Sequence, residues 1–245
     1  MSDFVLLHGY AGSPAAWDEV RAALPSGSRV LCPALVGHAP DTGPARDFES
    51  EIARLARLIA AAGLEHAHLC GYSLGGRLAL GLLIRHPGLF SRATLIGAHP
   101  GLPEGDPVRA ERAAADERWA TIAEREGAAA FADQWAAQPL FASQRALAPD
   151  VAAHQAAARA RLDGKALAAA MRALSLARMP DWGPSLPGIA LPVQLMAGAL
   201  DEKFVALARA MAGRIPGARL TIVPGAGHNV LIERPSAIIA ALLAG

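Results

Sequence analysis

Ala67-His68-Leu69-Cys70-Gly71-Tyr72-Ser73-Leu74-Gly75-Gly76-Arg77 leads from a short run through a glycine-rich turn, with a serine at its apex, into a helical pattern. The run Ala67–Cys70 reads as a core strand, and the pattern from about Leu74 to the stop at His86-Pro87-Gly88 reads as a helix. Gly71-Tyr72-Ser73-Leu74-Gly75 has the form G-x-S-x-G. Such a string arises by chance, and it gains meaning only from a strand before it and a helix after it. In that setting the chain turns sharply enough to lift the Ser73 hydroxyl above the strand end. Small residues at Gly71, Gly75 and Gly76 let the turn close against neighbouring backbone. A glycine turn with a capping serine is the plainer alternative.

Outward from this turn, short apolar runs alternate with helical patterns. Phe4-Val5-Leu6-Leu7 reads as the first strand, and a helix follows from about Ser13-Pro14, with serine as cap and proline at the first helical position. Arg29-Val30-Leu31-Cys32 is the second strand. A helix from about Asp47 to Ala62 repeats Ile52, Leu55, Leu58 and Ile59 at helical spacing and stops at Gly63. Ala93–Gly97 is a further strand. From about Pro100 to Pro187 the chain is rich in Ala, Arg and Glu, helical in pattern and without a convincing strand. Strands return at Pro192–Ala197 and Arg219–Val223, with a helix over about Phe204–Arg214 between them and a last helix opened by Pro235. This alternation predicts an α/β fold with a mostly parallel sheet flanked by helices. Residues 1–99 and 188–245 form its core, and residues 100–187 form a helical lid over the carboxyl ends of the strands, where ligand sites in such sheets lie.

A serine hydroxyl is inert at neutral pH without a base, and the base needs a third group to fix its tautomer. His228, in Gly227-His228-Asn229, lies in the loop after the last strand, and Asp201 follows the strand before it. The order Ser73, Asp201, His228 is the one used by the α/β-hydrolase fold, which is therefore the expected fold. Glu202 is the competitor for the acid, and a helix cap is the plainer role for Asp201. His8-Gly9-Tyr10 follows the first strand, so the backbone N–H groups of Tyr10 and Leu74 are the expected oxyanion-hole donors. His8 is expected to order that loop rather than titrate in the mechanism.

Arg77 stands one turn beyond Ser73 on the same side of the helix, where a charge needs an anionic partner. A salt bridge to a lid carboxylate would supply one. The lid adds Arg118-Trp119, Trp135 and Arg159. Guanidinium groups grip carboxylates two-pronged, so several that converge imply a substrate with more than one carboxylate. For any single lid arginine, a solvated helix face is the plainer alternative.

Bulk composition narrows the rest. With 245 residues, 53% hydrophobic and 18% charged, the chain can bury one complete core and is not disordered. A net charge of +1 gives no electrostatic case for a nucleic-acid partner. Cys32 and Cys70 make neither a disulfide framework nor a C-x-x-C pair, and read as buried free thiols in a reducing compartment. The segment Met1–His8 lacks the pattern of a secretion signal, and no apolar run approaches the roughly 20 residues needed to span a bilayer. The expectation is a cytoplasmic protein, monomeric or weakly self-associating, with a small anionic substrate, no membrane partner, no metal and no cofactor.

Gly71-Tyr72-Ser73-Leu74-Gly75-Gly76-Arg77, His99-Pro100-Gly101-Leu102 and Asp116-Glu117-Arg118-Trp119 together resemble the MenH family, the menaquinone-pathway enzymes that make SHCHC. Phe131 to Ser143, with Trp135 and Gln138-Pro139-Leu140-Phe141, Gly198 to Phe204, and Gly227-His228-Asn229 fit the same pattern in the same order. The resemblance covers nearly the whole chain. It implies a lyase that eliminates pyruvate from the enolpyruvyl cyclohexene SEPHCHC, with Ser73 as the base that takes a ring proton, His228 as its proton acceptor and Asp201 as the orienting anion. It also implies that Arg77, Arg118, Arg159 and Lys203 bind substrate carboxylates and that Trp135 forms a pocket wall. Ala136-Ala137 departs from the family by replacing bulkier, more polar residues, which is expected to reshape the pocket. An elbow and a triad do not by themselves separate base from nucleophile, so a carboxylic-ester or C–C-bond hydrolase with Ser73 as nucleophile is the second reading. A non-catalytic receptor on this scaffold would not need all three groups.

Overall fold

The computed structural model describes residues 3–244. Met1 and Ser2, which open the segment read for a secretion signal, lie outside the described residues. Six parallel strands form one sheet: β1 (Asp3–Leu7), β2 (Arg29–Leu31), β3 (Ala67–Tyr72), β4 (Phe90–Ile96), β5 (Val193–Gly198) and β6 (Arg219–Val223), in the order β2-β1-β3-β4-β5-β6. The chain steps from β1 outward to β2 and then returns to the other side of β1 at β3. That reversal leaves a crevice beyond the carboxyl ends of β1 and β3. Leu7 pairs with Gly71 and Gly71 with Leu95, so the loops after β1, β3 and β4 emerge side by side.

Alternation along the strands covers both faces of the sheet, as a parallel sheet requires. Val5, Leu7, Leu69 and Leu95 pack under α2 (Phe48–Ala61) and α3 (Leu74–Arg85), against Leu55, Ile59, Leu78 and Leu82. On the other face Phe4, Leu6, Cys70 and Ile96 meet Trp17, Val20 of α1 (Asp18–Ala22), and Ile238 and Leu242 of α9 (Pro235–Leu243). Cys70 is sealed in this core, whereas Cys32 is only partly covered, so the expectation of two buried thiols holds for one of them. The helix expected from Ser13 begins instead as a 3-10 turn over Pro14–Trp17, and Ser13 makes no capping bond. Asp47 does cap α2, accepting from the Ser50 amide at 2.7 Å.

Between β4 and β5 the described chain is helical or irregular. The insertion contains α4 (Val108–Ala136), α5 (Pro149–Ala160) and α6 (Gly164–Ala173). Gly127, at φ +86°, breaks α4 into two helical segments. The insertion has an apolar cluster of its own around Phe131, Leu167 and Met171, which also takes in Ala11 from the loop after β1. Arg172 on α6 bridges Glu117 and Glu124 on α4 across its outer surface. Ala136 and Ala137 lie on the exposed side of α4 and its end, away from the cavity described below. Neither residue contributes to the wall of that cavity, where the departure at these positions was expected to act. The core is completed by α7 (Glu202–Ala212) and the one-turn α8 (Val230–Glu233). Among the described residues no helix is long and apolar enough to cross a membrane.

Candidate active site

Ser73 sits between β3 and α3 with φ 53° and ψ −109°, a conformation that a non-glycine residue holds only when its surroundings enforce it, at a cost of about 1–3 kcal/mol. Its amide donates to the Ile96 carbonyl at 2.8 Å, which ties the apex to β4. A side chain at Gly71 would overlap the Gly75 carbonyl, and one at Gly75 would overlap the Leu7 carbonyl. The glycines are thus needed for close approach of backbone to backbone, and the string is a true elbow.

The loop after β6 brings His228 over this apex. Its Nε2 lies 3.0 Å from Ser73 Oγ, and its Nδ1 lies 2.7 Å from Asp201 Oδ2. Because the carboxylate can only accept, Nδ1 carries the proton and Nε2 is left to accept from the serine hydroxyl. The second oxygen of Asp201 accepts from the Phe204 amide at 3.3 Å, so this residue is both the orienting acid and the cap of α7. The competing Glu202 is exposed and touches neither group. A second carboxylate, absent from the sequence reading, holds the histidine loop. Glu233 is buried in α8 and accepts from the amides of Gly227 at 2.7 Å and Asn229 at 3.2 Å, one on each side of His228. Its placement five residues beyond the histidine was the available signal.

The loop after β1 faces the same apex. Among the described residues the amides of Tyr10 and Leu74 have no protein acceptor. Two buried histidines set the loop. His8 donates from Nδ1 to the Gly9 carbonyl at 2.8 Å and accepts from the Leu35 amide at 3.1 Å through Nε2. His38 accepts from the amide of Ala11, itself at φ 54°, at 2.9 Å and donates from Nδ1 to the Val36 carbonyl at 3.0 Å. Burial pushes both down, His8 to about 3 with help from His38, and His38 to about 4, so both rings are neutral struts. The Tyr10 hydroxyl donates to the Leu167 carbonyl on α6 at 2.8 Å, joining this loop to the insertion.

These elements enclose a cavity of about 330 Å³ whose wall includes Ser73, His228, Arg77, Arg112, Arg159 and Lys203. Arg77 is partly buried, and among the described residues its guanidinium makes one hydrogen bond, to the Leu174 carbonyl at 3.3 Å. Burial, and then the neighbouring Arg112, lower it to about 9, with Asp116 opposing. The salt bridge from Arg77 to a lid carboxylate is not formed. Arg159 is buried with its guanidinium 6.0 Å from the Phe141 ring centre and no carboxylate beside it, and burial lowers its pKa as well. Lys203 stands exposed at the rim.

Arg118 is not brought to the cavity; its side chain is exposed on the outside of α4. The arginine that lines the cavity is Arg112, six residues earlier and about 240° around the helix. Arg112, Ala115, Asp116 and Trp119 form the inward stripe of α4. Asp116 is buried and fixes Arg112, accepting from its Nε at 2.8 Å and from the Ser175 hydroxyl at 2.7 Å. The i, i+4 spacing of Arg112 and Asp116 is the sequence signal for this pair. Trp135 lines the cavity as expected, stacked on Phe131 with centroids 5.2 Å apart.

A hydroxyl with a tautomer-locked base, two free amides beside it and several cations around it can take or transfer a proton next to a polyanion. Residues 4–235 match the sequence profile described as the alpha/beta hydrolase fold. The chain is 33% identical over 239 residues to the 2-succinyl-6-hydroxy-2,4-cyclohexadiene-1-carboxylate synthase of Enterobacter sp. (strain 638), covering 97% of this chain and 89% of that one. Against the synthase of the same name from Escherichia coli O1:K1 / APEC the identity is 34%, over 97% and 91% of the two chains. The structure of MenH from S. aureus superimposes with a TM-score of 0.94 at 27% identity, covering 99% of this chain and 92% of that one. The elbow, the relay below it and this likeness along the whole chain have one reading: the chain belongs to the SHCHC synthase (MenH) family of the α/β-hydrolase fold.

Proposed function

We infer that the protein is a carbon–oxygen lyase that eliminates pyruvate from SEPHCHC to give SHCHC, with residues 100–187 as a cap over residues 1–99 and 188–245. The observation that carries this is the set of cations around Ser73. Arg159 is buried and, among the described residues, pairs with no carboxylate, while Arg77 is partly buried, bonded only to a backbone carbonyl and offset in part by Asp116; a buried cation left short of negative charge costs several kcal/mol unless an anion joins it. A small substrate with several carboxylates supplies the missing charge, which a simple ester would not. The hydrolase reading is therefore the weaker one.

In the proposed reaction Ser73 Oγ takes a ring proton while its own proton moves to His228 Nε2. Asp201 stabilises the imidazolium that results. The released electron pair forms a ring double bond and the C–O bond to the enolpyruvyl group breaks. The departing enolpyruvate takes up a proton and becomes pyruvate, and His228 returns to its neutral form. The amides of Tyr10 and Leu74 and the cations Arg77, Arg112, Arg159 and Lys203 hold the negative charge that builds on the substrate. A sealed thiol at Cys70 suits a reducing, cytoplasmic setting. Incubation with SEPHCHC and coupled detection of pyruvate tests the reading. Rapid release with poor turnover of p-nitrophenyl esters is expected, and fast ester cleavage without pyruvate would overturn it.

A further inference from the structure

His99 stands three residues beyond β4, where the insertion leaves the sheet, and its ring lines the cavity beside Arg77 and Lys203. The turn that carries it is pinned from behind. Gly101, at φ +101°, packs on the Pro180 backbone, and the Pro100 carbonyl accepts from the Trp182 amide at 2.7 Å. The Gly101 amide donates to His99 Nδ1 at 3.0 Å. An amide nitrogen only donates, so Nδ1 has no hydrogen and a neutral ring must carry its proton on Nε2. Among the described residues Nε2 has no protein partner. Burial, with Arg77, Lys203 and Arg112 nearby, pushes the ring down to about 3, so it does not become a further cation.

We propose that His99 is a substrate-binding residue whose Nε2–H donates to a carboxylate oxygen of the cyclic polycarboxylate that the cations attract. This rests on the lyase reading above and deepens it. The cations act over distance and tolerate misplacement, whereas a neutral N–H locked in one tautomer is directional. An analogue without an oxygen at that point leaves the donor unpaired, which is a penalty selective for the right substrate.

Two substitutions separate this role from a structural one. His99→Asn keeps an acceptor for the Gly101 amide and removes the donor in the cavity. His99→Gln reaches to the Nε2 position and gives up the Gly101 contact. The expected result is a fall in kcat/KM of about tenfold to a hundredfold for His99→Asn and a change within about threefold for His99→Gln. The reverse order, equal losses in both variants, or no loss in either would overturn the proposal. Should a variant fail to fold, wild-type protein with 15N-labelled histidine gives an independent reading. The His99 Nε2–H resonance is expected to be present and to shift when succinate is added, and an unmoved resonance would overturn the contact. Absence of pyruvate release by the wild type would instead sink the lyase reading, which the succinate titration does not depend on.

Discussion

Ser73, Asp201 and Tyr10 each stand within three residues of a strand end, whereas Arg112, Trp119, Trp135 and Arg159 project from helices of the insertion. The strand-end half of the cavity is fixed by backbone geometry: a positive-φ serine, an amide bond across to β4 and glycines that admit neighbouring carbonyls. The helical half is fixed by side chains: the Asp116–Arg112–Ser175 network and the aromatic packing of Trp119, Phe131 and Trp135. Backbone placement tolerates little change and serves the proposed proton transfer. Side-chain placement allows change of substrate on a constant scaffold. Tyr10 joins the halves, with its amide at the apex and its hydroxyl on α6.

That contrast can be broken or sharpened by experiment. The largest effect is expected for Ser73→Ala, which should cut kcat by about 10³-fold or more while leaving the melting temperature within a few degrees. Retained turnover would remove the strand-end half from the chemistry. Arg77→Met should lower kcat/KM by about a hundredfold. It should leave the stability of the free protein within about 1 kcal/mol, because the partly buried cation bonds a backbone carbonyl and forms no ion pair. A larger stability loss in thermal melts would show that the cation already has a partner. Asp116→Asn should raise KM about tenfold with a smaller change in kcat, since it frees Arg112 without touching the relay; a kcat-only effect would place Asp116 nearer the reacting atoms.

Acid should separate the halves as well. Burial lowers His8 and His68 to about 3 and His38 to about 4, against an ordinary value near 6.5. Above pH 6.5 these rings are neutral in both states and their contribution is fully present. As pH falls below 6.5 the unfolded chain binds protons that the native rings refuse. Stability is then lost toward pH 4 by about 1 kcal/mol per ring per pH unit. Urea midpoints between pH 7.5 and 4.5 should show this slope. His154→Ala on α5, an exposed residue, should leave it unchanged. A midpoint indifferent to acid would mean that the core rings take up protons. The smallest effect is expected for Arg172→Ala: its pairs with Glu117 and Glu124 lie in solvent, and melting should shift by no more than about 3 °C.

Most of the strand-end half is legible in the sequence. Strands announce themselves by short apolar runs, and a strand end followed by Gly-x-Ser-x-Gly or His-Gly has few conformations to choose from. The relay order Ser73, Asp201, His228 followed from which strand each residue closes. The helical half was read less well, because an alanine-rich helix has no strong apolar stripe to show which side faces inward. Arg118 and Arg112 are chemically alike and differ in azimuth, so the sequence could not show that Arg118 faces outward and Arg112 the cavity. Glu233 is marked in the sequence only by its spacing from His228, because its partners are backbone amides.

The sequence alone determined the alternation of strands and helices, the elbow at Ser73 and the histidine and aspartate that align with it, because each follows from local pattern and chain order. Only the tertiary structure decided which arginines face the cavity, that Asp201 both caps a helix and orients His228, and that the proton of His99 resides on Nε2. Those facts depend on helix rotation and on hydrogen bonds between distant or backbone groups, and both are settled when the elements pack.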